Sequence, residues 1–599
     1  MEAMSEIADY TLRELRETFR SGGTRSVAWR KTQLSALREL IRDNEEKIFE
    51  ALYQDLGKHP IEAYRDEVGV LIKSINYALS NLDKWVAPKK GKLPLLLFPA
   101  RGELVPEPLG VVLIFASWNY PISLALEPVI GAIAAGNTVV LKPSDQSPAC
   151  SSIIAKTIPE YMDPKAIRII EGGAQISEIL LQHKWDKIFF TGSPQVGRAV
   201  MTAAAKHLTP VTLELGGKCP VILDSLSNPS DLKVAIKRIV SGKWGPCSGQ
   251  ACIGVDYMLV EEKFAPTVIE LLKKTIKKFY TESPKDANCI ARIVNKKHFQ
   301  RVQNLLEEPL VEASIVHGGS LDEEKLFIEP IVLLNPPLDS AIMNEEIFGP
   351  LLPVITLKNI QESIEFINTR PKPLTIYAFT KDENFKKKIL SETSSGGVTF
   401  NDVLVQFICD ALPFGGVGSS GFGRYHGKFS FDTFSHEKAV FQGGFFPELE
   451  PRYPPWNNFK MKFLRLAYDL DYFGLVLLLL GLKRLCRLMG LLIRFVAMAI
   501  LLHLLKFFQG VSNSELLLKR SSFSSISSSF FQGVRNSELL LKRSSFSSIS
   551  SSGLLGGLDL LILASSSLVL LQSSPRTSIH IWLFRFKTLA SIHPSSNLL

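Results

Sequence analysis

The chain has 599 residues, 46% of them hydrophobic and 21% charged, and carries a formal net charge of +9. That length and apolar content allow several domains and a large core. The positive charge does not point to nucleic acid, because residues 450–599 hold 17 Lys and Arg against 6 Asp and Glu and leave the remainder slightly acidic.

Seven cysteines are scattered without a metal-type CxxC pair, as suits a reducing compartment, and no metal site is expected. The start, Met1-Glu2-Ala3-Met4-Ser5-Glu6, has early acids and no apolar core, unlike a signal or transit peptide. From Gly110 the chain alternates. Apolar, β-branched runs at Gly110–Phe115, Thr138–Leu141, Ile167–Ile170, Lys187–Phe190 and Val211–Leu215 predict strands. Helices are predicted between them at Pro121–Ala135, Pro148–Tyr161, Ile176–Trp185 and Val196–His207, with Gly136-Asn137 as a C-terminal cap. This is the pattern of an α/β fold with a doubly wound parallel sheet, which binds ligands beyond its strand ends.

Polar residues gather at those ends. Asn119, in Trp118-Asn119-Tyr120-Pro121, is either an amide donor to a developing oxyanion or a helix N-cap. Lys142-Pro143-Ser144-Asp145 sets an ammonium and a carboxylate where ribose hydroxyls could sit; a solvated loop is the plainer alternative. Thr191-Gly192-Ser193-Pro194-Gln195-Val196-Gly197 is not the common Gly-x-Gly-x-x-Gly, but its glycines and helix start suit a phosphate, or simply a turn. Glu214-Leu215-Gly216-Gly217-Lys218 ends the last strand, and Gly249-Gln250-Ala251-Cys252 follows, with Cys252 38 residues beyond Glu214. A thiolate can add to a carbonyl and later leave, and a carboxylate can activate the water that hydrolyses the thioester. A lone cysteine is more often an inert small hydrophobe. Further on, Glu346 and Phe348 share the loop Glu345-Glu346-Ile347-Phe348-Gly349-Pro350, which alone reads as a turn.

The C-terminal part differs in character. Phe473–Leu482 and Phe495–Leu505 are apolar runs of 10 and 11 residues beside basic positions. Neither reaches the ~20 residues that span a bilayer; an interfacial helix fits better. Phe507–Ser529 is repeated as Phe530–Ser552, two 23-residue copies differing only at Ser512 and Arg535. Two copies do not make a solenoid, and the serine runs suit a hydrated chain without a packed fold.

In order, these motifs resemble the aldehyde dehydrogenase superfamily, and over roughly residues 5–484 its family 3 branch of plant type. Pro108-Leu109-Gly110-Val111-Val112, Asn401-Asp402 and Pro413-Phe414-Gly415-Gly416-Val417-Gly418 join those above. Arg292-Ile293-Val294-Asn295, Tyr425-His426-Gly427-Lys428 and Arg452-Tyr453-Pro454-Pro455 carry the branch. The resemblance implies NAD(P)-dependent oxidation of aldehydes to carboxylic acids. It makes Cys252 the nucleophile, Asn119 and the Cys252 N–H the oxyanion donors, and Glu214 the deacylating base, with Glu346 the alternative base. Lys142 would touch the adenosine ribose, Glu346 and Phe348 the nicotinamide ribose, and Asp145, Gly192, Ser193, Gly197 and Gly216 would complete the cofactor site. NAD is expected, with NADP use allowed because Asp145 stands where the family usually has a longer glutamate. Cys247, five residues before Cys252, is either a reversible disulfide partner or a bystander.

The expected organisation is residues 1–215 as N-terminal helices and dinucleotide-binding domain, 216–403 as catalytic domain, and 404–449 as a small bridging segment. Residues 450–484 form an extension open to membrane contact, and 485–599 a disordered tail. The resemblance also implies a homodimer of cytoplasmic location, with peripheral contact to the endoplasmic reticulum membrane through residues 472–505 left open. A CoA-acylating enzyme of the same fold and a non-catalytic member are the alternatives; Glu214 argues against the first, and Cys252, Asn119 and Glu214 together against the second.

Overall fold

The computed structural model describes residues 2–94, 97–446, 448–480, 483–511, 560–564, 567–573 and 579–585. The chain divides into two compact units, Met1–Glu448 and Leu449–Leu599.

Four helices, Glu2–Arg20, Val27–Asp43, Glu45–Leu56 and Gly69–Val86, precede the first large sheet. That sheet has six strands in the order 421–422, 211–215, 187–192, 111–115, 138–142 and 167–169. All neighbours run parallel except the short first strand, which is antiparallel. Val111–Phe115 and Thr138–Lys142 are buried at every position, which is why their apolar runs are continuous rather than alternating. The strand order reverses direction between 111–115 and 187–192, so the crevice beyond their carboxyl ends is the ligand-binding switch point.

Helix Ser123–Ala135 is buried along its whole length and ends at Gly136, whose φ of 93° suits glycine. Asn137 completes the cap: its amide donates to the carbonyls of Ala132 and Phe434, and its oxygen accepts from the Gly110 N–H. The predicted helix at 176–185 forms instead at Ala174–Gln182. The Trp185 indole turns back to donate to the Leu180 carbonyl, which closes the helix end.

The second large sheet has seven strands in the order 315–317, 331–334, 351–357, 257–261, 220–223, 375–379 and 397–400. It begins just beyond Gly216, where the catalytic domain was expected. The bridging sheet is not confined to 404–449. It pairs 435–442 with 101–108, and 101–108 with 89–91, so two distant stretches of chain build it. Antiparallel pairing asks only that strands meet in space, which local patterning does not reveal.

In the second unit, helices Asn458–Tyr468 and Tyr472–Leu479 pack together, and Asp471 caps the latter by accepting from the Gly474 N–H. Lys483–Val511 is one 29-residue helix, against the expected unstructured tail from residue 485. A proline-free run of leucine, methionine, alanine and basic residues favours helix wherever it lies. Its apolar side chains lie in the open: Leu491, Leu492, Phe495, Val496, Met498 and Leu502 are all exposed. Among the described residues no helix is long and apolar enough to cross a membrane. Further along, 560–564, 567–573 and 579–585 form an antiparallel three-stranded sheet, again unlike the expected tail. The two 23-residue repeats fall almost entirely outside the described residues.

Candidate active site

Helix Pro229–Trp244 leads into the loop that carries Cys252. Cys247, Ser248 and Gly249 have φ of 50°, 53° and 78° in succession, a strained path for the two with side chains. Hydrogen bonds hold it there. The Cys247 N–H donates to Glu62 at 2.7 Å, and the Trp244 indole donates to the Pro350 carbonyl at 2.7 Å. A Cβ on Gly249 would lie 2.4 Å from the Gly349 carbonyl oxygen, so only glycine fits.

Gln250 is fully buried and ties the loop together. Its side-chain amide donates to the carbonyls of Cys247 and Arg292, both at 2.9 Å, and its side-chain oxygen accepts from the Val294 N–H at 3.1 Å. The Gln250 carbonyl accepts from the Asn119 side-chain amide at 2.9 Å. Asn119 is therefore not a helix cap. The helix starts at Ser123, and its first N–H groups go to Glu67 instead. One Asn119 N–H fixes the amide plane and the second is left for a ligand, while its Oδ1 has no partner among the described residues.

Cys252 is partly exposed and its thiol is free. Burial, then Glu346 and Glu214, push its pKa up to about 12. The structure thus brings the cysteine and both candidate carboxylates into one electrostatic neighbourhood. Glu214, on strand 211–215, is 3% exposed, and neither carboxyl oxygen has a partner among the described residues. Burial alone holds its pKa well above the usual carboxylate range. Glu346 lies over Gly216, where a Cβ would meet its Oε2 at 2.0 Å. Burial raises Glu346 to about 8, against a hydrogen bond from the Gly217 N–H.

The loop bearing Glu346 and Phe348 is pinned by residues that local reading did not single out. Lys218 donates to the carbonyls of Ile342 (2.7 Å) and Glu345 (2.8 Å) and pairs with Asp256. Asp256 accepts from the Ile347 N–H at 2.9 Å, and Arg301 donates to the Ile347 carbonyl at 2.6 Å. Phe348 meets Trp118 edge to face at 5.3 Å. Only Lys218 carried a signal, as the last residue of the Glu214 motif.

A second group lies at neighbouring strand ends. Lys142 pairs in register with Phe115, the end of the strand that leads to Asn119. Its buried ammonium donates to the Pro143 carbonyl and stands 4.0 Å from the half-exposed Asp145 carboxylate. Gly192 ends strand 187–192, and a Cβ there would strike the Phe190 ring at 2.6 Å. Ser193 caps helix Pro194–Ala205 by accepting from the Val196 N–H, and Gly197 lets that helix close on Leu215. Free helix N–H groups beside a side-chain-free turn suit a pyrophosphate. With the unpartnered Thr191 hydroxyl and Glu346 Oε1, the donor set fits a dinucleotide.

Cys247 differs from Cys252 in being fully buried, against Leu56, Trp118, Ala291 and Val294. Both thiols are free.

Residues 1–440 match the aldehyde dehydrogenase family model. The chain belongs to the aldehyde dehydrogenase family. It is 63% identical over 484 residues to aldehyde dehydrogenase family 3 member F1 of Arabidopsis thaliana, covering 81% of this chain and all of that relative. The solved substrate-bound state of Staphylococcus aureus AldH is 43% identical with a TM-score of 0.74, covering 77% of this chain and 99% of that one. Glyceraldehyde-3-phosphate dehydrogenase GapN from Methanocaldococcus jannaschii, solved with NADP, is 25% identical with a TM-score of 0.65, covering 74% and 95%. As a member of the family 3 branch, this aldehyde dehydrogenase oxidises aldehydes to carboxylic acids with NAD(P).

Proposed function

We propose that Cys252, Glu214 and Asn119 carry the reaction. The observation that supports this most directly is a partly exposed cysteine near a buried carboxylate without a partner among the described residues, with an amide donor fixed to the same loop. The Cys252 thiol gives up its proton to water and its sulfur adds to the aldehyde carbon, and the carbonyl oxygen, now negative, is held by Asn119 and the Cys252 N–H. When bound, NAD(P) accepts the hydride, leaving a thioester on Cys252. Glu214 then takes a proton from the water that attacks this thioester; the acid departs and the thiol is restored. Lys142, Asp145, Gly192, Ser193, Gly197, Gly216, Glu346 and Phe348 hold the cofactor. Cys252→Ala should remove aldehyde oxidation while cofactor binding, followed by fluorescence titration, stays near wild type. Turnover in that variant would sink the assignment.

The proposed cofactor preference is NAD, because an Asp145 carboxylate suits a 2′-hydroxyl better than a 2′-phosphate. The proposed assembly is a homodimer. Strand 435–442 is the edge of its sheet and exposes Val440 and Phe441, an edge that a second copy can extend. The enzyme is proposed to be cytoplasmic, with residues 472–505 touching a membrane surface. The exposed apolar side chains of Leu488–Leu504, interrupted by the single charge of Arg494, support that contact. Deleting residues 472–505 should release the protein from microsomes.

A further inference from the structure

The helix Glu45–Leu56 ends in a turn that sends the next side chain inward. Gly57 has a φ of +65°, and a Cβ there would lie 2.8 Å from the Arg292 Nε. Arg292 donates from its guanidinium to the carbonyls of Tyr53 (2.8 Å) and Gln54 (2.9 Å), and from its main chain to Leu56 (2.7 Å). These bonds satisfy the carbonyls a helix end leaves open.

Lys58 follows, fully buried. Its ammonium donates to Glu67 at 2.6 Å and to the main-chain carbonyl of Asn119 at 2.8 Å, and it stands 4.0 Å from the centre of the Tyr120 ring. The other oxygen of Glu67 accepts from the N–H groups of Ile122 (2.8 Å) and Ser123 (3.0 Å). One buried ion pair therefore grips residues 119–123 at both ends. The Asn119 side chain is held separately, by the Gln250 carbonyl. Burying two opposite charges is expensive and often adds nothing to stability over a well-packed apolar pair. Here the ammonium is spent on the carbonyl of the residue whose amide faces the reacting carbon.

We infer that Lys58, with Glu67 as its counter-ion, is a positioning residue that fixes the Asn119 amide for the oxyanion. The inference rests on the role proposed above for Asn119. Lys58 touches no substrate. It acts by holding the Asn119–Tyr120 peptide, so its effect passes through Asn119 alone.

The test is a double-mutant cycle on the rate of the NADH burst, which reports thioester formation, in the full-length enzyme. Lys58→Met should slow the burst roughly 10- to 100-fold, while the NAD dissociation constant from fluorescence titration changes little. In an Asn119→Ala background the same substitution should cost less than about 3-fold more, because coupled residues are not additive. A full second loss in that background, or an unchanged burst in Lys58→Met, overturns the role of Lys58 and leaves that of Asn119 standing. An unchanged burst in Asn119→Ala alone removes the oxyanion role, and the Lys58 inference with it. If Lys58→Met fails to fold by circular dichroism, Lys58→Met/Glu67→Gln replaces it, since no buried charge is then unpaired. Failure of that variant to fold makes the pair a structural support and overturns the inference.

Discussion

At the scale of single residues, burial raises the pKa of each acid in the site. Glu214 is raised by burial with no partner to oppose it. A base with a raised pKa is idle below that pKa and active above it, so deacylation should accelerate as pH rises past the usual carboxylate range. In Glu214→Gln the acyl-enzyme should accumulate, detectable as a mass adduct, and that acceleration should vanish. If no adduct appears, Glu346 becomes the better candidate, and Glu346→Gln should trap it instead. Asp145 decides a different property. Its carboxylate is half exposed beside the buried Lys142 ammonium, and glutamate would reach one methylene further toward a ribose hydroxyl. Asp145→Glu should therefore raise the ratio of kcat/KM for NAD over NADP, whereas a wild type that strongly favours NADP would show that the carboxylate argument is wrong.

Among the elements, helix Ser123–Ala135 bears the closest packing, buried at all 13 positions. It crosses helix Gly427–Thr433 at Gly131, where a Cβ would lie 2.6 Å from that of Ser430 and 3.1 Å from the Phe434 ring. Neither neighbour has room to retreat, so Gly131→Ala should destabilise the enzyme by about 1–3 kcal/mol in urea unfolding. A variant as stable as wild type would mean that the helices can separate at no cost. The same helix buries Glu127, whose Oε2 has no partner among the described residues. Burial, then Asp410, push its pKa up to about 8, above an unfolded value of about 4.3. A carboxyl raised in the folded state contributes stability fully present below the unfolded value and lost as pH rises through the folded one. Stability should thus decline between about pH 4.5 and 8, and Glu127→Gln should reduce that decline by up to about 5 kcal/mol. Melting curves across this range check it; an equal decline in the variant would place the titration elsewhere.

For the whole molecule, the division after Glu448 separates every candidate catalytic and cofactor residue from the C-terminal unit. A chain truncated after Arg484 should keep wild-type kcat/KM and remain soluble. Loss of activity on removing residues 485–599 alone would show that the second unit serves the first. The truncation also tests the helix Lys483–Val511, whose exposed Leu488, Leu491, Leu492 and Phe495 call for a partner surface.

The alternation of apolar runs with amphipathic stretches was legible as a doubly wound sheet because burial on both faces demands continuous β-branched strands. The glycines at 192, 197 and 216 were legible because close backbone approach calls for that residue type, and Cys252 and Glu214 stood out as the residue types that the proposed nucleophile and base require. What needed the tertiary structure was every choice between two local roles. Asn119 reads locally as a helix cap as readily as anything else, and only the Gln250 carbonyl, 131 residues away, shows its amide turned to the Cys252 loop instead. The bridging sheet joins 101–108 to 435–442, a pairing with no local trace. Lys58, in the turn after helix Glu45–Leu56, and Glu67 carry no local sign of burial, and it is folding that buries them together beneath Asn119. Hydrophobic period is a property of neighbouring residues and is written locally. Desolvation and hydrogen-bond partnership depend on which distant segments close over a side chain, and the folded chain alone decides that.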